Sequence, residues 1–140
     1  MNHRRLDETT LVAGQLLPED LAELRAQGVM TIVNNRPDDE EPGQPSSDAM
    51  AAAAHAAGLT YHHIPVGGGL SANQVAAMAE ALDGPGTTLA FCKSGTRSTY
   101  LWALARASRG ADAAELERGA HEAGYDLSPI RMYLGRAGPG

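Results

Sequence analysis

The chain has 140 residues, which suits one domain with a single hydrophobic core. Hydrophobic residues make up 43% of it and charged residues 20%, as in an ordinary globular protein, and the formal net charge of -6 argues against a nucleic-acid-binding protein, which needs a basic face. No apolar run approaches the ~18 residues that span a bilayer, so a membrane protein is not expected either.

The first half of the chain alternates between short apolar runs and helical patterns. Residues 11–13 predict an edge strand, and a helix follows between positions 18 and 28, opened by a proline and stopped by a glycine. The β-branched run at 29–33 predicts a buried strand. A loop rich in proline and glycine then contains the acidic run 38–41, and an alanine-rich helix, capped by Ser47 or Asp48, ends at Gly58.

The second half continues the alternation. Residues 60–66 predict a strand that a run of three glycines closes. Ser71 and Gln74 have the spacing of a capping box, with a buried stripe behind them that runs to Leu82. Residues 87–91 predict the next strand, and residues 98–109 predict a helix that Gly110 stops.

Two shorter helices, starting at Asp112 and Ser128, complete the predicted elements. Because helices separate the strands, the order favours a mostly parallel sheet covered on both faces, which is a three-layer α/β fold. Residues 1–140 are predicted to form a single domain, with residues 1–8 and 135–140 frayed.

The N-terminus and the cysteine content bear on location. Arg4 and Arg5 are not followed by an apolar segment, so no signal peptide is expected. Cys92 is the only cysteine, which excludes an internal disulfide and leaves a free thiol that suits a reducing compartment. The sequence therefore predicts a cytoplasmic protein.

The segment from Phe91 to Ser98 joins a predicted strand to the helix that follows it. Ligands of open α/β sheets bind at the carboxyl ends of strands, and the unpaired N–H groups of a loop entering a helix form an anion-binding nest. The intervening Lys93, Ser94, Gly95 and Thr96 are therefore the predicted anion-binding residues. Gly95 allows a tight curl, and Arg97 can hold an oxyanion with two hydrogen bonds.

Cys92, at the start of this loop, is the predicted nucleophile. The helix N-terminus and Arg97 create a positive field that favours the reactive thiolate over the thiol. A cysteine at the end of a strand can also be a small buried hydrophobe. The Cys-x-x-Gly-x-Arg-Ser context favours catalysis over that interpretation.

Four segments of the chain resemble one bacterial family. They are Val12-Ala13-Gly14-Gln15-Leu16, Asn34-Asn35-Arg36-Pro37-Asp38, Tyr61-His62-His63-Ile64-Pro65-Val66 and the loop Cys92 to Ser98. The family is the phosphatase-like domain found alone or fused to beta-lactamase-like hydrolases, also named a family of sulfur transferases. The resemblance, over about residues 3 to 110, implies a dual-specificity protein-tyrosine-phosphatase fold with the cysteine loop as its active site. It also implies that Arg97 is the oxyanion-binding arginine and Ser98 the hydroxyl after it.

Two departures from the phosphatase pattern favour sulfur transfer. Tyrosine phosphatases have five residues between cysteine and arginine, whereas four stand between Cys92 and Arg97, the length of a rhodanese loop that carries a persulfide. The loop 67–71, where the general acid would stand, has no carboxylate. Sulfite or a thiolate leaves without protonation, so transfer of a sulfane sulfur does not need that acid.

Arg36 and the acidic run 38–41 are further candidates. Arg36 follows a buried strand, so it is predicted to lie near the same sheet edge as Cys92 and to add a second cation; pairing with Asp38 or Glu40 is an equal alternative. The acidic run contains the only nearby carboxylates that could replace the general acid. A solvated charge run is the favoured interpretation of it.

Metal and cofactor binding are not predicted. His62 and His63 are adjacent on a strand and point to opposite faces, so they cannot chelate one metal ion, and one is expected packed and the other exposed. Trp102 is expected to pack in the core. Residues 67–69 could form a mobile lid or a plain connector.

The leading hypothesis is a sulfurtransferase that carries a persulfide on Cys92. The alternatives are a cysteine phosphatase acting through phosphocysteine and a non-catalytic module that binds an oxyanion or a phosphoprotein. The expected partner is a small anionic or persulfide substrate, with no nucleic acid, no membrane and no cofactor. Nothing in the sequence assigns an oligomeric state.

Overall fold

A computed structural model describes residues 2–137, and its strands form one five-stranded sheet. The strands are β1 (His3–Asp7), β2 (Thr10–Ala13), β3 (Val29–Asn34), β4 (Thr60–His63) and β5 (Thr87–Phe91). Their order across the sheet is β1-β2-β5-β3-β4, and all neighbours are parallel except the antiparallel pair β1–β2. The predicted α/β class with a mostly parallel sheet is confirmed.

Helices cover both faces of this sheet. They are α1 (Asp20–Ala26), α2 (Ser47–Ala56), α3 (Ala72–Leu82), α4 (Thr96–Ser108), α5 (Ala113–Glu122) and α6 (Arg131–Ala137), with a 3-10 turn at Ser128–Ile130. Helices α1 and α2 share one apolar cluster with the sheet, and the remaining helices share another on the opposite face. Within residues 2–137, no helix is both long and apolar enough to cross a bilayer.

The N-terminal caps of helices α3 and α5 are the predicted ones. The capping box of Ser71 and Gln74 is present at the start of α3, and the Asp112 side chain caps α5. The cap of α2 is Ser46, one residue before the predicted positions, since its side chain accepts a hydrogen bond from the Ala49 amide at 3.1 Å.

The prediction of a frayed N-terminus is wrong for residues 3–7, which form β1. Leu6 is buried, and Asp7 Oδ2 accepts hydrogen bonds from Trp102 Nε1 at 2.7 Å and Arg106 Nε at 3.1 Å, so α4 holds this strand against the sheet. Consequently β2 lies inside the sheet, where an edge strand was predicted.

Three other boundaries differ from prediction. Strand β4 ends at His63 because Pro65 has no N–H. The amides of Ile64 and Val66 still donate, at 2.9 Å each, to the carbonyls of Asn34 at the end of β3 and of Asn35 after it. Helix α4 begins at Thr96, two residues early. Helix α6 continues to Ala137, so fraying from 135 is wrong there; residues 1 and 138–140, also predicted frayed, lie outside the described residues.

Candidate active site

The loop after β5 is held between the ends of the two neighbouring strands. Cys92 N donates to Ala13 O at 3.4 Å, and Gln15 N donates to Lys93 O at 3.2 Å, which ties the loop to the end of β2. Gly14 permits this approach, since a Cβ there would lie 2.9 Å from Lys93 O. The strand–loop–helix junction that the sequence predicted is therefore fixed by backbone contacts to β2.

Gly95 gives the loop its curl and caps α4. Its φ of 93° lies in the left-handed region, and a Cβ at this position would stand 2.2 Å from Tyr125 Oη. That hydroxyl donates to Ser94 O at 3.0 Å, so Tyr125, from the segment after α5, supports the loop from outside. Both the conformation and the contact require glycine here.

The thiol of Cys92 lies beneath this curl. The residue is fully buried, and Gly95 N donates to its Sγ at 3.1 Å. The first N–H groups of α4 have no carbonyl four residues earlier to pair with, so they add a positive field beside the sulfur. Ser98 Oγ is buried too and has no hydrogen-bond partner among the described residues.

Ser94 and Thr96, the other predicted anion-binding residues of the loop, interact with each other. Ser94 Oγ donates to Thr96 Oγ1 at 3.1 Å. Ser94 is exposed and Thr96 is half-buried, so both remain at the surface of the loop.

Arg97 lies at the mouth of the loop and is already paired. Its Nη1 donates to Glu40 Oε2 and to Val66 O, both at 2.7 Å, and its Nη2 donates to Glu40 Oε1 at 2.9 Å. The hydrogen bond with Glu40 raises the pKa of Arg97 most, and the neighbouring Cys92 sulfur raises it further. Arg97 is thus a fixed cation next to Cys92.

Arg36 is buried beside the same loop, with 3% of its side chain exposed. Its three guanidinium nitrogens are all used: Nε donates to Glu40 Oε1 at 2.8 Å, Nη1 to Gln15 Oε1 at 2.9 Å and Nη2 to Glu41 Oε1 at 2.5 Å. Burial opposes its charge, but the hydrogen bonds with the two glutamates outweigh this effect and raise its pKa. Arg36 therefore lies at the site, as predicted, and is also ion-paired. Its partners are Glu40, which was one of the two predicted, and Glu41, whereas Asp38 is not among them.

The acidic run lies at the solvent-exposed mouth of the site. Glu40 and Glu41, together with Arg36, Lys93 and Arg97, line a cleft of about 310 Å³. Lys93 Nζ lies 3.5 Å from Glu41 Oε1. The acidic run is exposed, as predicted, but Glu40 and Glu41 also form ion pairs with the three cations at this edge of the sheet.

Both glutamates at the mouth are ionised at neutral pH. The Arg97 hydrogen bond, more than any other contact, lowers the pKa of Glu40 to about 2. The hydrogen bond from Arg36 lowers the pKa of Glu41 below its ordinary value, and Lys93 adds to this effect. Neither side chain is a proton donor in this arrangement.

The remaining predicted residues lie as follows. His62 is exposed and His63 is half-buried, with its Nε2 2.9 Å from Arg36 O, and Trp102 is buried in the core. Within residues 2–137, no group of three or more histidine, cysteine, aspartate or glutamate side chains is arranged to hold a metal ion.

The sequence analysis missed two residues of the site, Gln15 and Tyr125, and the contact of Glu40 with Arg97. Gln15 holds Arg36, Tyr125 supports Gly95, and Glu40 bridges the two arginines. Gln15 lies two residues after β2, which ends at the same sheet edge, and this position is a signal that could have found it. No local pattern marks Tyr125.

Comparison with known proteins places this geometry in context. The family of the beta-lactamase hydrolase-like protein, phosphatase-like domain, matches residues 2–109. The Beta-lactamase hydrolase-like protein of Agrobacterium fabrum is 37% identical over 135 residues, which are 94% of this chain and 31% of that protein. The chain therefore spans about a third of the length of the curated relatives it matches.

Solved structures show the same fold. The crystal structure of nma1982, a candidate phosphatase from Neisseria meningitidis, has a TM-score of 0.81 and 33% identity, over 96% of each chain. Tk-PTP in its active form has a TM-score of 0.71 and 19% identity, covering 96% of this chain and 93% of that chain. The fold is thus that of the protein-tyrosine-phosphatase-like structures.

Proposed function

We propose that this chain, which belongs to the family of the beta-lactamase hydrolase-like protein, phosphatase-like domain, is a phosphatase-type hydrolase with Cys92 as its nucleophile. The observation that carries the proposal is the pairing of a buried thiol with a fixed cation at one strand–loop–helix junction. Gly95 N donates to Cys92 Sγ at 3.1 Å, and Arg97 stands next to it.

The reaction has two steps. The Cys92 thiolate attacks phosphorus, the bond to the leaving oxygen breaks with its electron pair, and phosphocysteine forms. Arg97 and the loop amides stabilise the phosphoryl oxygens. Arg97 must first give up its hydrogen bonds to Glu40 and then bind the substrate. Water then attacks phosphorus and loses a proton to bulk solvent, the P–S bond breaks with its electron pair on sulfur, and inorganic phosphate and the Cys92 thiolate are released. The role proposed for Ser98 Oγ, which is buried near the start of α4 and unpaired among the described residues, is to donate to that sulfur as it leaves.

The charges at the mouth restrict the leaving group. Glu40 and Glu41 are both ionised, and the loop at 67–71 contains no carboxylate, so the free site offers no carboxylic acid to protonate a departing alkoxide. General acid assistance is typically worth 10²–10⁴-fold. Substrates are therefore phosphate esters or anhydrides whose leaving group is already acidic.

Sulfur transfer is the second candidate, and the same observation favours it. A thiolate that attacks the outer sulfur of thiosulfate expels sulfite, which needs no proton, and the outer sulfur remains on Cys92 as a persulfide. The four residues between Cys92 and Arg97 suit this smaller group. An oxyanion-binding module without chemistry is the third candidate.

One experiment separates the three. Intact mass is measured for wild type and Cys92→Ser after incubation with p-nitrophenyl phosphate, and separately with thiosulfate or glutathione persulfide. We expect p-nitrophenol release by the wild type alone, with a phosphoryl adduct on rapid acid quench. A gain of one sulfur atom without p-nitrophenol release would replace hydrolysis by sulfur transfer. If neither product forms and both proteins bind phosphate equally, only the oxyanion-binding module remains.

A further inference from the structure

The cleft contains more positive charge than one phosphoryl group requires. Arg97 accounts for the reacting group next to Cys92, yet Arg36 and Lys93 line the same cleft. Lys93 is also the only lysine of the sequence. Arg36 has 3% of its side chain exposed, and a buried guanidinium is costly unless anions pair with it. Arg36 and Lys93 therefore need an explanation beyond the proposed reaction.

The two glutamates mark where anions lie in this cleft. Glu40 accepts from Arg97 and from Arg36 Nε, whereas Glu41 accepts from Arg36 Nη2 and lies next to Lys93. Two nitrogens of one guanidinium thus contact two separate carboxylates. The two anion positions are adjacent, with Arg36 between them.

Displacement of these carboxylates would move only a solvent-exposed loop. Residues 38–43, which carry both glutamates, are exposed, and this loop contains Asp39 and Gly43 at positive φ. With the glutamates withdrawn, three cations face the cleft. A single phosphate dianion would neutralise two of these charges, and a second anionic group would neutralise the third.

We propose that the site takes substrates with two adjacent anionic groups: the reacting group binds at Arg97 over Cys92, and a second phosphate binds at Arg36 and Lys93 in place of Glu41. The identity of the reacting group rests on the proposed function, while the second position rests on the cation geometry alone. Arg36 and Lys93 are then specificity-determining residues, and Glu40 and Glu41 are internal anions that the substrate displaces.

Binding to Cys92→Ser, which cannot turn over substrate, tests the second position independently of the reaction. The probes are inorganic phosphate and inorganic pyrophosphate, titrated by calorimetry at constant ionic strength. Loss of a charge-assisted hydrogen bond of about 1.5–3 kcal/mol corresponds to about 10–150-fold in affinity. The Lys93 side chain is 61% exposed, so its replacement should leave the fold intact. We therefore expect Lys93→Gln to weaken pyrophosphate binding about tenfold more than phosphate binding. Arg36→Lys should have the same selective effect.

Matched controls and a second readout make the test decisive. Arg118→Gln removes one charge from an exposed position of α5 and should change neither affinity by more than about twofold. Pyrophosphate should protect Lys93 from an amine-acylating reagent, read by peptide mass, at concentrations where phosphate does not. Equal losses for both probes in Lys93→Gln, or equal protection by both, would overturn the proposal. Because no turnover is involved, failure here leaves the proposed hydrolysis untouched, and an inactive wild type leaves this result valid.

Discussion

Gly95→Ala is expected to destabilise the protein through two separate effects at the loop. The residue has a φ of 93°, which an L side chain rarely adopts, and its new Cβ would lie 2.2 Å from Tyr125 Oη. The left-handed conformation costs alanine about 1–2 kcal/mol. Displacement of Tyr125 loses the 3.0 Å hydrogen bond to Ser94 O, worth about 1 kcal/mol. The free energy of unfolding should therefore fall by about 2–3 kcal/mol.

Urea denaturation followed by far-UV circular dichroism measures this change, and a thermal scan should show a loss of roughly 8–12 °C. Gly68→Ala is the matched control, since a Cβ at Gly68 meets no atom within 4 Å and its φ lies outside the left-handed region. In a Tyr125→Phe background the hydroxyl is already gone, so the cost of Gly95→Ala should shrink by about 1 kcal/mol. A cost below 0.5 kcal/mol, or one identical in both backgrounds, would refute this account of the loop.

Three further predictions concern other contacts. Folding lowers the pKa of Glu40 from its ordinary value of 4.5 to about 2. The stability that wild type has over Glu40→Gln should therefore be fully present above pH 4.5 and disappear as the pH falls towards 2. Urea titrations that give the same difference at every pH would contradict this. Asp7→Ala should lower the free energy of unfolding by about 2 kcal/mol, since it leaves Trp102 Nε1 without its acceptor, whereas Glu8→Ala, its exposed neighbour, should have little effect. Ser71→Ala should cost about 1 kcal/mol in a thermal scan by removing the cap of α3, and no loss would show that the capping box does not contribute.

The parts of the fold that local patterns determine could be predicted. The runs at 29–33 and 87–91 are apolar and β-branched, and a strand buried on both faces needs that composition. The glycine within the cysteine loop indicated a tight curl because no other residue adopts its backbone conformation without strain. These signals lie within a few residues of the structure they specify.

The contacts that the sequence could not indicate join distant segments. Glu40 and Arg97 are 57 residues apart, and an acidic run looks like a solvated face until three cations are placed opposite it. Strand β1, with the sequence His-Arg-Arg-Leu-Asp, has little apolar alternation, and its pairing with β2, the burial of Leu6 and the hydrogen bonds from α4 hold it. Contacts between segments far apart in the sequence decided both places, and residue spacing carries no information about them.

Trp102 gives the protein a built-in optical reporter. It is the only tryptophan, it is 1% exposed, and its indole N–H is bound to a carboxylate of β1. Its fluorescence should therefore be blue-shifted and inaccessible to acrylamide or iodide in the folded chain. Because the indole sits on the helix that begins at the cysteine loop, a red shift would report separation of that helix from the first strand, without any added dye.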